Sequence, residues 1–509
     1  MRNFILLSCI GILTFLYSCR SDFEFQKSTG GLRFSRDTVY LDTVFTNIGS
    51  STYTLKVYNR SDKDIKIPTI QLGKGLDSKY RITVDGMTGE NNRVFRDVEM
   101  LAKDSMYIFI ETTADVAQAD PTTFLYTDQI QFGETGNFQN VELVTLIQDA
   151  VFLYPQRFDD GTTETLPLGD EQIYGFFLDE DDPNHGNEYL FTDEKPYVIY
   201  GYAGVAPGKT LTIQAGARVH FHDSSGILVA NTATINVEGT ASSQGTQDGE
   251  VIFEGDRLEP LFSDIPGQWG AIWLTPGSTG NFSHATIKNG SIGLYIQANA
   301  GTVTINNCQI YDNSVYGVYA QTANITGQNT VINSAGEATL ACTLGGSYDF
   351  THCTFNNNWQ SSSQFAVLVN NRLMDGTQEI QGYDLTAANF KNCIIYGSNQ
   401  VEMLLQKSQD QSKAFEYSFD HCLLRFNNNT LAANPLYNFE ENTTRYPGLK
   451  RNLNPRFWNI GTNNLRITTE SGAVGIANPL NVFSPDLDGN ARITKDAGAY
   501  QSADIPEEN

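Results

Sequence analysis

The residues able to do chemistry in this chain are few and scattered. Asp256, Arg257, Glu259 and Asp264 lie close together just ahead of Trp269. Carboxylates beside a base are the material of acid–base catalysis on a polysaccharide. They equally make an ion pair that pins a loop, which is the stronger reading here. The run Trp269-Gly-Ala-Ile-Trp273-Leu follows. On an extended strand side chains alternate, so Ile272 and Leu274 share one face and Trp269 and Trp273 the other. With the aliphatics inside, both indoles stand outside, where an aromatic platform suits a sugar ring. Packing beneath the Leu261-Phe262 loop is the competing and stronger reading. Asp256, Arg257, Asp264, Trp269 and Trp273 are the candidate binding residues.

His220 and His222 stand two apart on Arg218-Val-His-Phe-His and could point outward together, but no third ligand is in view. Cys308, Cys353, Cys393 and Cys422 occur singly rather than in paired C-x-x-C spacing, so they read as small core residues, not metal ligands. The acidic stretch Asp179-Glu-Asp-Asp-Pro-Asn-His-Gly has the charge for calcium but no recognisable ligand spacing, and reads as a solvated loop. Asp486-Leu-Asp488-Gly-Asn490 has its glycine at the fourth position rather than the sixth and no Glu at the twelfth, which discounts a calcium loop. No catalytic residue and no metal or other cofactor is assigned, calcium being the one weak candidate.

The elements that carry these residues repeat. Ile305-Asn-Asn-Cys308-Gln-Ile310, Phe350-Thr-His-Cys353-Thr-Phe355, Phe390-Lys-Asn-Cys393-Ile-Ile395 and Phe419-Asp-His-Cys422-Leu-Leu424 are one phrase. Phe282-Ser-His-Ala285-Thr-Ile287 keeps it with Ala for Cys, and Gly327-Gln-Asn-Thr330-Val-Ile332 keeps it loosely. From 285 to 353 the steps are 23, 22 and 23 residues; the next two lengthen to 40 and 29. Two or three short strands per turn of this length predict a parallel β-helix. Cys and the aliphatic residue two later are assigned to the core. The preceding Asn or His (Asn307, Asn329, Asn392, His284, His352, His421) goes to a turn, bonding to the rung above, and the first apolar residue falls beyond that bend. The odd count of five cysteines after Cys19 (Cys308, Cys342, Cys353, Cys393 and Cys422) is expected to stay reduced.

Ahead of the repeats, residues 31–152 hold short alternating β runs such as Thr52-Tyr-Thr-Leu-Lys-Val-Tyr and Ser105-Met-Tyr-Ile-Phe-Ile, parted by Gly, Asn and Asp. They predict an antiparallel β-sandwich. Val44-Phe-Thr-Asn-Ile-Gly with Leu55-Lys-Val-Tyr-Asn-Arg-Ser-Asp resembles immunoglobulin-like modules, without their Cys…Trp…Cys signature. Residues 153–195 read as an acidic linker and cap, and 196–505 as the β-helix. The chain is thus all-β.

The N-terminus reads as an export signal. Arg2 precedes an apolar run from Phe4 to Tyr17, shorter than a membrane-spanning helix. Leu16-Tyr17-Ser18-Cys19 resembles the lipobox of bacterial lipoproteins, with Tyr17 in place of the usual small residue. The resemblance implies a signal peptide over 1–18, acyl chains on Cys19, a tether over 19–30 and an outer-membrane lipoprotein facing the cell surface. A net charge of −25 repels polyanions, which argues against a nucleic-acid partner and against an unassisted polyuronate substrate.

Gly208-Lys-Thr-Leu-Thr-Ile-Gln-Ala-Gly-Ala, Gly267-Gln-Trp-Gly-Ala-Ile-Trp-Leu and the Asn-Cys-x-Ile rungs resemble bacterial right-handed parallel β-helix lipoproteins. Pro485-Asp-Leu-Asp-Gly-Asn-Ala-Arg-Ile and Asp496-Ala-Gly-Ala-Tyr resemble that group's closing motif, so the likeness spans residues 196–502. It implies a lipid-anchored protein whose β-helix face serves adhesion or binding of a glycan or cell-surface ligand. The alternative is a polysaccharide lyase or glycoside hydrolase of the β-helix type. The repeat strands offer Ser, Thr, Asn, Tyr and Gln outward and few acids, which favours binding over catalysis.

Overall fold

The computed structural model describes residues 24–505 apart from 120–123, 135, 244, 245 and 360. The expected signal peptide over 1–18 and the expected lipidation site Cys19 lie outside the described residues. The chain divides at Asp149/Ala150 into two compact units.

The first unit is a β-sandwich. One sheet is built on Ile65–Leu72, Leu125–Glu134, Asn137–Gln148 and Thr38–Phe45, with Val94–Met100 also paired to Ile65–Leu72. The other runs in the order Arg33–Phe34, Tyr53–Tyr58, Ser105–Thr112, Tyr80–Val84. Alternate residues point between the sheets: Leu55 and Val57, Ile108 and Ile110, Ile70 and Leu72, Val141 and Leu143 are all buried. Most pairings are antiparallel, but Asn137–Gln148 runs parallel to Thr38–Phe45.

The second unit is a parallel β-helix with three faces per turn. Face A is an eleven-stranded parallel sheet that includes Tyr197–Ile199, Arg218–Phe221, Val251–Gly255, Ala285–Lys288, Gln309–Asn313, Val331–Ala335, Thr354–Asn357 and Ile394–Gly397. Faces B and C are joined because Tyr316–Gln328 and Ala338–Thr351 each run around the corner between them. The repeated phrase is the corner from face C to face A. His284, Asn307, Asn329, His352, Asn392 and His421 all take left-handed φ values, between 45° and 55°. Asn tolerates that region better than most residues. One such residue turns the chain sharply enough that the apolar residues on both sides of it face inward.

Inward side chains therefore stack by type. Phe350, Phe390 and Phe419 are partners across face C, with ring centroids 5.6 and 4.8 Å apart. Gly327 stands above Phe350 in the same row, and a Cβ there would come within 2.5 Å of the Phe350 ring, so this rung needs glycine. Cys308, Cys353, Cys393 and Cys422 are fully buried, and all five described cysteines are free thiols. Burial pushes the Cys308 thiol up to about 12 and those of Cys342 and Cys353 well above the usual range.

Two boundaries differ from the sequence reading. Residues 153–195 are not only linker: Glu171–Phe177 pairs in parallel with Tyr202–Val205, and Leu190–Phe191 with Thr210–Gln214, so this segment already supplies strands of the coil. At the other end, the rungs finish at Lys450–Arg451. The resembling closing motif is not a rung. It folds back over the outside of face A, where Ala497, Ala473 and Ile467 pack on Ile394 and Leu423, and Ala499, Tyr500 and Leu465 pack on Val331. The long repeat step from 353 to 393 accommodates the hairpin Arg372–Asp375 with Gln378–Gly382.

Candidate functional site

Two outward-facing groups of side chains stand out in the β-helix. The first lies on face A, where in-register pairing sets His220 beside Glu254. The His220 Nδ1 is 3.7 Å from Glu254, whose other oxygen takes the Lys288 Nζ at 2.7 Å. Two residues further along the same strands, His222 Nδ1 sits 2.7 Å from Asp256 Oδ2, and the Tyr200 ring lies 4.5 Å from the imidazole. His222 is half exposed, whereas Asp256 is buried. The Asp256 hydrogen bond raises the His222 pKa, while burial lowers that of His220. Burial lifts the Tyr200 hydroxyl to about 12. An imidazole oriented by a buried carboxylate and open to solvent on one side can exchange a proton with a bound molecule.

The charged residues of the inserted loop take different partners. Asp256 serves His222, whereas Arg257 turns to Glu259 at 3.3 Å and lies 4.0 Å over the Phe262 ring. Asp264 is exposed. The loop is tied down by Asn289, which donates to the Ser263 carbonyl, and by Gln268, which donates to the Phe262 and Ile265 carbonyls.

The second group is on face B. Trp273, Tyr295 and Tyr319 are partners on successive strands. Their rings stack at 5.0 and 5.1 Å, and Tyr316 adds a fourth ring 4.5 Å from Tyr319. Beside them Gln297 and Gln321 form an amide row. Trp273 Nε1 donates to Gln297 at 2.8 Å, Gln297 donates to the Tyr295 hydroxyl and to Gln321, and Gln321 donates to the Tyr319 hydroxyl. Stacking covers the faces that the rings turn to one another, which leaves the edges, hydroxyls and amides of the ladder along its outer side.

Trp269 does not join it. The indole is buried, stacked 4.4 Å from Phe221 in the core, and donates to the Lys288 carbonyl. Simple alternation fails between Ala271 and Ile272, which are both buried and where the register against Gly290–Gln297 shifts. The prediction that both indoles share an outer face is corrected for Trp269, and Trp273 alone faces out. The sequence reading also missed Tyr295, Tyr319, Gln297 and Gln321. Their signal was there: Tyr295-Ile-Gln297 and Tyr319-Ala-Gln321 repeat one rung apart.

The family model described as a right handed beta helix region matches residues 205–372. A comparison with curated protein sequences returns no match. Among solved structures, the chain is similar to the catalytic unit of a thermostable GH87 α-1,3-glucanase from Streptomyces thermodiastaticus at 10% identity and a TM-score of 0.21, over 72% of this chain and 79% of that one. It is also similar to the PapD-like domain 7 of human CEP192 (12% identity, TM-score 0.15, 26% and 96% covered) and to the E. coli chaperone DraB (13%, 0.17, 30% and 70%). The protein is all-β: an N-terminal β-sandwich followed by a right-handed parallel β-helix.

Proposed function

We propose that this protein is a surface-anchored lipoprotein whose β-helix binds a glycan along face B. The observation that carries the reading is the ladder of Trp273, Tyr295 and Tyr319 with Gln297 and Gln321. It sets amphipathic edges and amides at the strand repeat, about 4.8 Å. Such a rim exchanges hydrogen bonds with sugar hydroxyls and offers apolar ring edge to sugar C–H groups. The net charge of −25 favours a neutral glycan over a polyanion. An array of immobilised neutral and acidic glycans tests this. Binding to a neutral member should weaken at least tenfold, equivalent to about 1.4 kcal/mol, in both Trp273→Ala and Gln297→Ala. Binding unchanged in both variants, or none to any glycan, would overturn it.

One observation favours the alternative, a β-helix lyase or glycoside hydrolase: the His222–Asp256 pair beside Tyr200. In that reading the imidazole acts as the proton acceptor and face A is the active face. Polysaccharide turnover that disappears on His222→Ala while Trp273→Ala retains it would select this reading over the first.

A further inference from the structure

The loop that opens the β-helix brings three metal-ligating side chains to one point. Asp182, His185 and Glu188 each offer one donor atom, and these atoms all lie within 4.8 Å of one another. The loop is a tight turn closed by paired hydrogen bonds between Asp182 and Gly186, 3.0 and 2.8 Å long, with Gly186 at a φ of 71°. Spaced three residues apart, the side chains converge on the His185 Nδ1, which is 3.0 Å from Glu188 Oε1 and 3.4 Å from Asp182 Oδ1.

These separations have a chemical meaning. An ion bound tetrahedrally at about 2.0–2.2 Å from nitrogen and oxygen donors spaces them about 3.3–3.5 Å apart. Both carboxylate distances from His185 Nδ1 already stand within a few tenths of an ångström of that spacing, and the two carboxylates lie within 4.8 Å of each other. A neutral imidazole has one N–H, so at Nδ1 it can donate to only one of the two carboxylates. A cation serves both. The Glu188 side chain is only 8% exposed, so its carboxylate has little water to turn to.

The supports around the three residues are those that orient ligands. The second oxygen of Glu188 accepts the Asp179 N–H at 3.0 Å. Asp182 Oδ1 accepts the N–H groups of Asn184 and His185, both at 2.8 Å. Asp179, Glu180 and Asp181 add negative charge nearby. One imidazole with two carboxylates suits a divalent ion of the zinc or cobalt kind. Calcium prefers six to eight oxygens.

We propose that Asp182, His185 and Glu188 bind a divalent transition-metal ion of the zinc class, closing the loop that caps the coil. The residues flanking the loop, Leu178 and Tyr189, are both part of the buried core, so an ion between the arms fastens the top of that core. This site is independent of the glycan-binding reading.

The test is to strip the protein with EDTA and titrate it with Co²⁺, Zn²⁺ and Ca²⁺. One equivalent of Co²⁺ should give the visible d–d bands of a four-coordinate ion, and Zn²⁺ should displace it and raise Tm. His185→Ala should weaken binding by more than the ~10–100-fold that outer supporting residues carry. Asp182→Asn keeps the oxygen that accepts the two backbone N–H groups and so keeps the turn; it should weaken binding at least ~10-fold by the same scale. Absence of d–d bands with no Tm response would overturn the proposal, as would binding undiminished in both variants. Calcium binding as tight as zinc would overturn the assigned class.

Discussion

The side-chain amide of Asn392 donates to Nε2 of His352, 3.1 Å away on the adjacent rung. Both residues sit at the same left-handed corner, and Asn329 repeats the contact by donating to Asn307 at 3.1 Å. A corner residue here needs a tolerated positive φ and a group that can bond along the stack. Asn and neutral His both meet this, which is why the sequence interchanges them.

His352 must stay neutral to accept that bond. Burial, with the Arg492 guanidinium beside it, lowers its pKa to about 3. The unfolded chain protonates near 6.5, so the stability this group contributes is complete above that pH and is lost as pH falls toward 3. Two pH units below 6.5 the loss is about 3 kcal/mol. His352→Asn should therefore flatten the fall in stability between pH 7 and pH 4.5, as read by urea unfolding of the β-helix. Equal pH dependence in variant and parent would refute the neutral-His reading.

Gly327→Ala should destabilise the β-helix by about 1–3 kcal/mol, because the new methyl meets the Phe350 ring at 2.5 Å. Phe350→Leu alone should also cost stability by leaving a cavity. The double variant should be more stable than the sum of the two single effects implies, measured from urea midpoints. Simple additivity would show that the two residues do not compete for space.

The five buried cysteines should be inert in the folded protein and free when it is unfolded. Alkylation without reductant should leave all five unlabelled at neutral pH in buffer and label all five in guanidinium. Two fewer labels in the denatured sample would reveal a disulfide.

Cys19→Ala should move the protein from the membrane fraction to the soluble fraction and abolish metabolic labelling with fatty acid. Labelling that persists in the variant would place any lipid elsewhere. This prediction rests on the resemblance of Leu16-Tyr17-Ser18-Cys19 to a lipobox.

Much of the coil was legible because a solenoid writes its geometry once per turn. The Phe-x-His-Cys-x-Ile phrase gave the rung, the corner and the inward Cys together. What it did not give were features that break the period. Trp269 faces inward because an irregularity between Ala271 and Ile272 spoils alternation, and a strict period of two assumes a regular strand. His222 and Asp256 are neighbours on adjacent rungs, yet 34 residues separate them because the intervening turn is enlarged. The cluster of Asp182, His185 and Glu188 reads in the sequence as a solvated acidic loop with calcium the weaker alternative, since its spacing acquires meaning once a turn brings three side chains to one point.

The segment that folds back over face A ties distant times as well as distant residues. Asn329 accepts from Arg492, Ala499 donates to Thr354, and Tyr500 reaches Gln309, 191 positions earlier. A chain delivered N-terminus first presents its middle rungs long before this covering strip arrives. Until then Val331, Ile394 and Leu423 form an apolar seam open to solvent. The covering strip beyond Arg451 thus acts as a completion signal, and a chain cut short after Arg451 should form rungs yet aggregate through that seam.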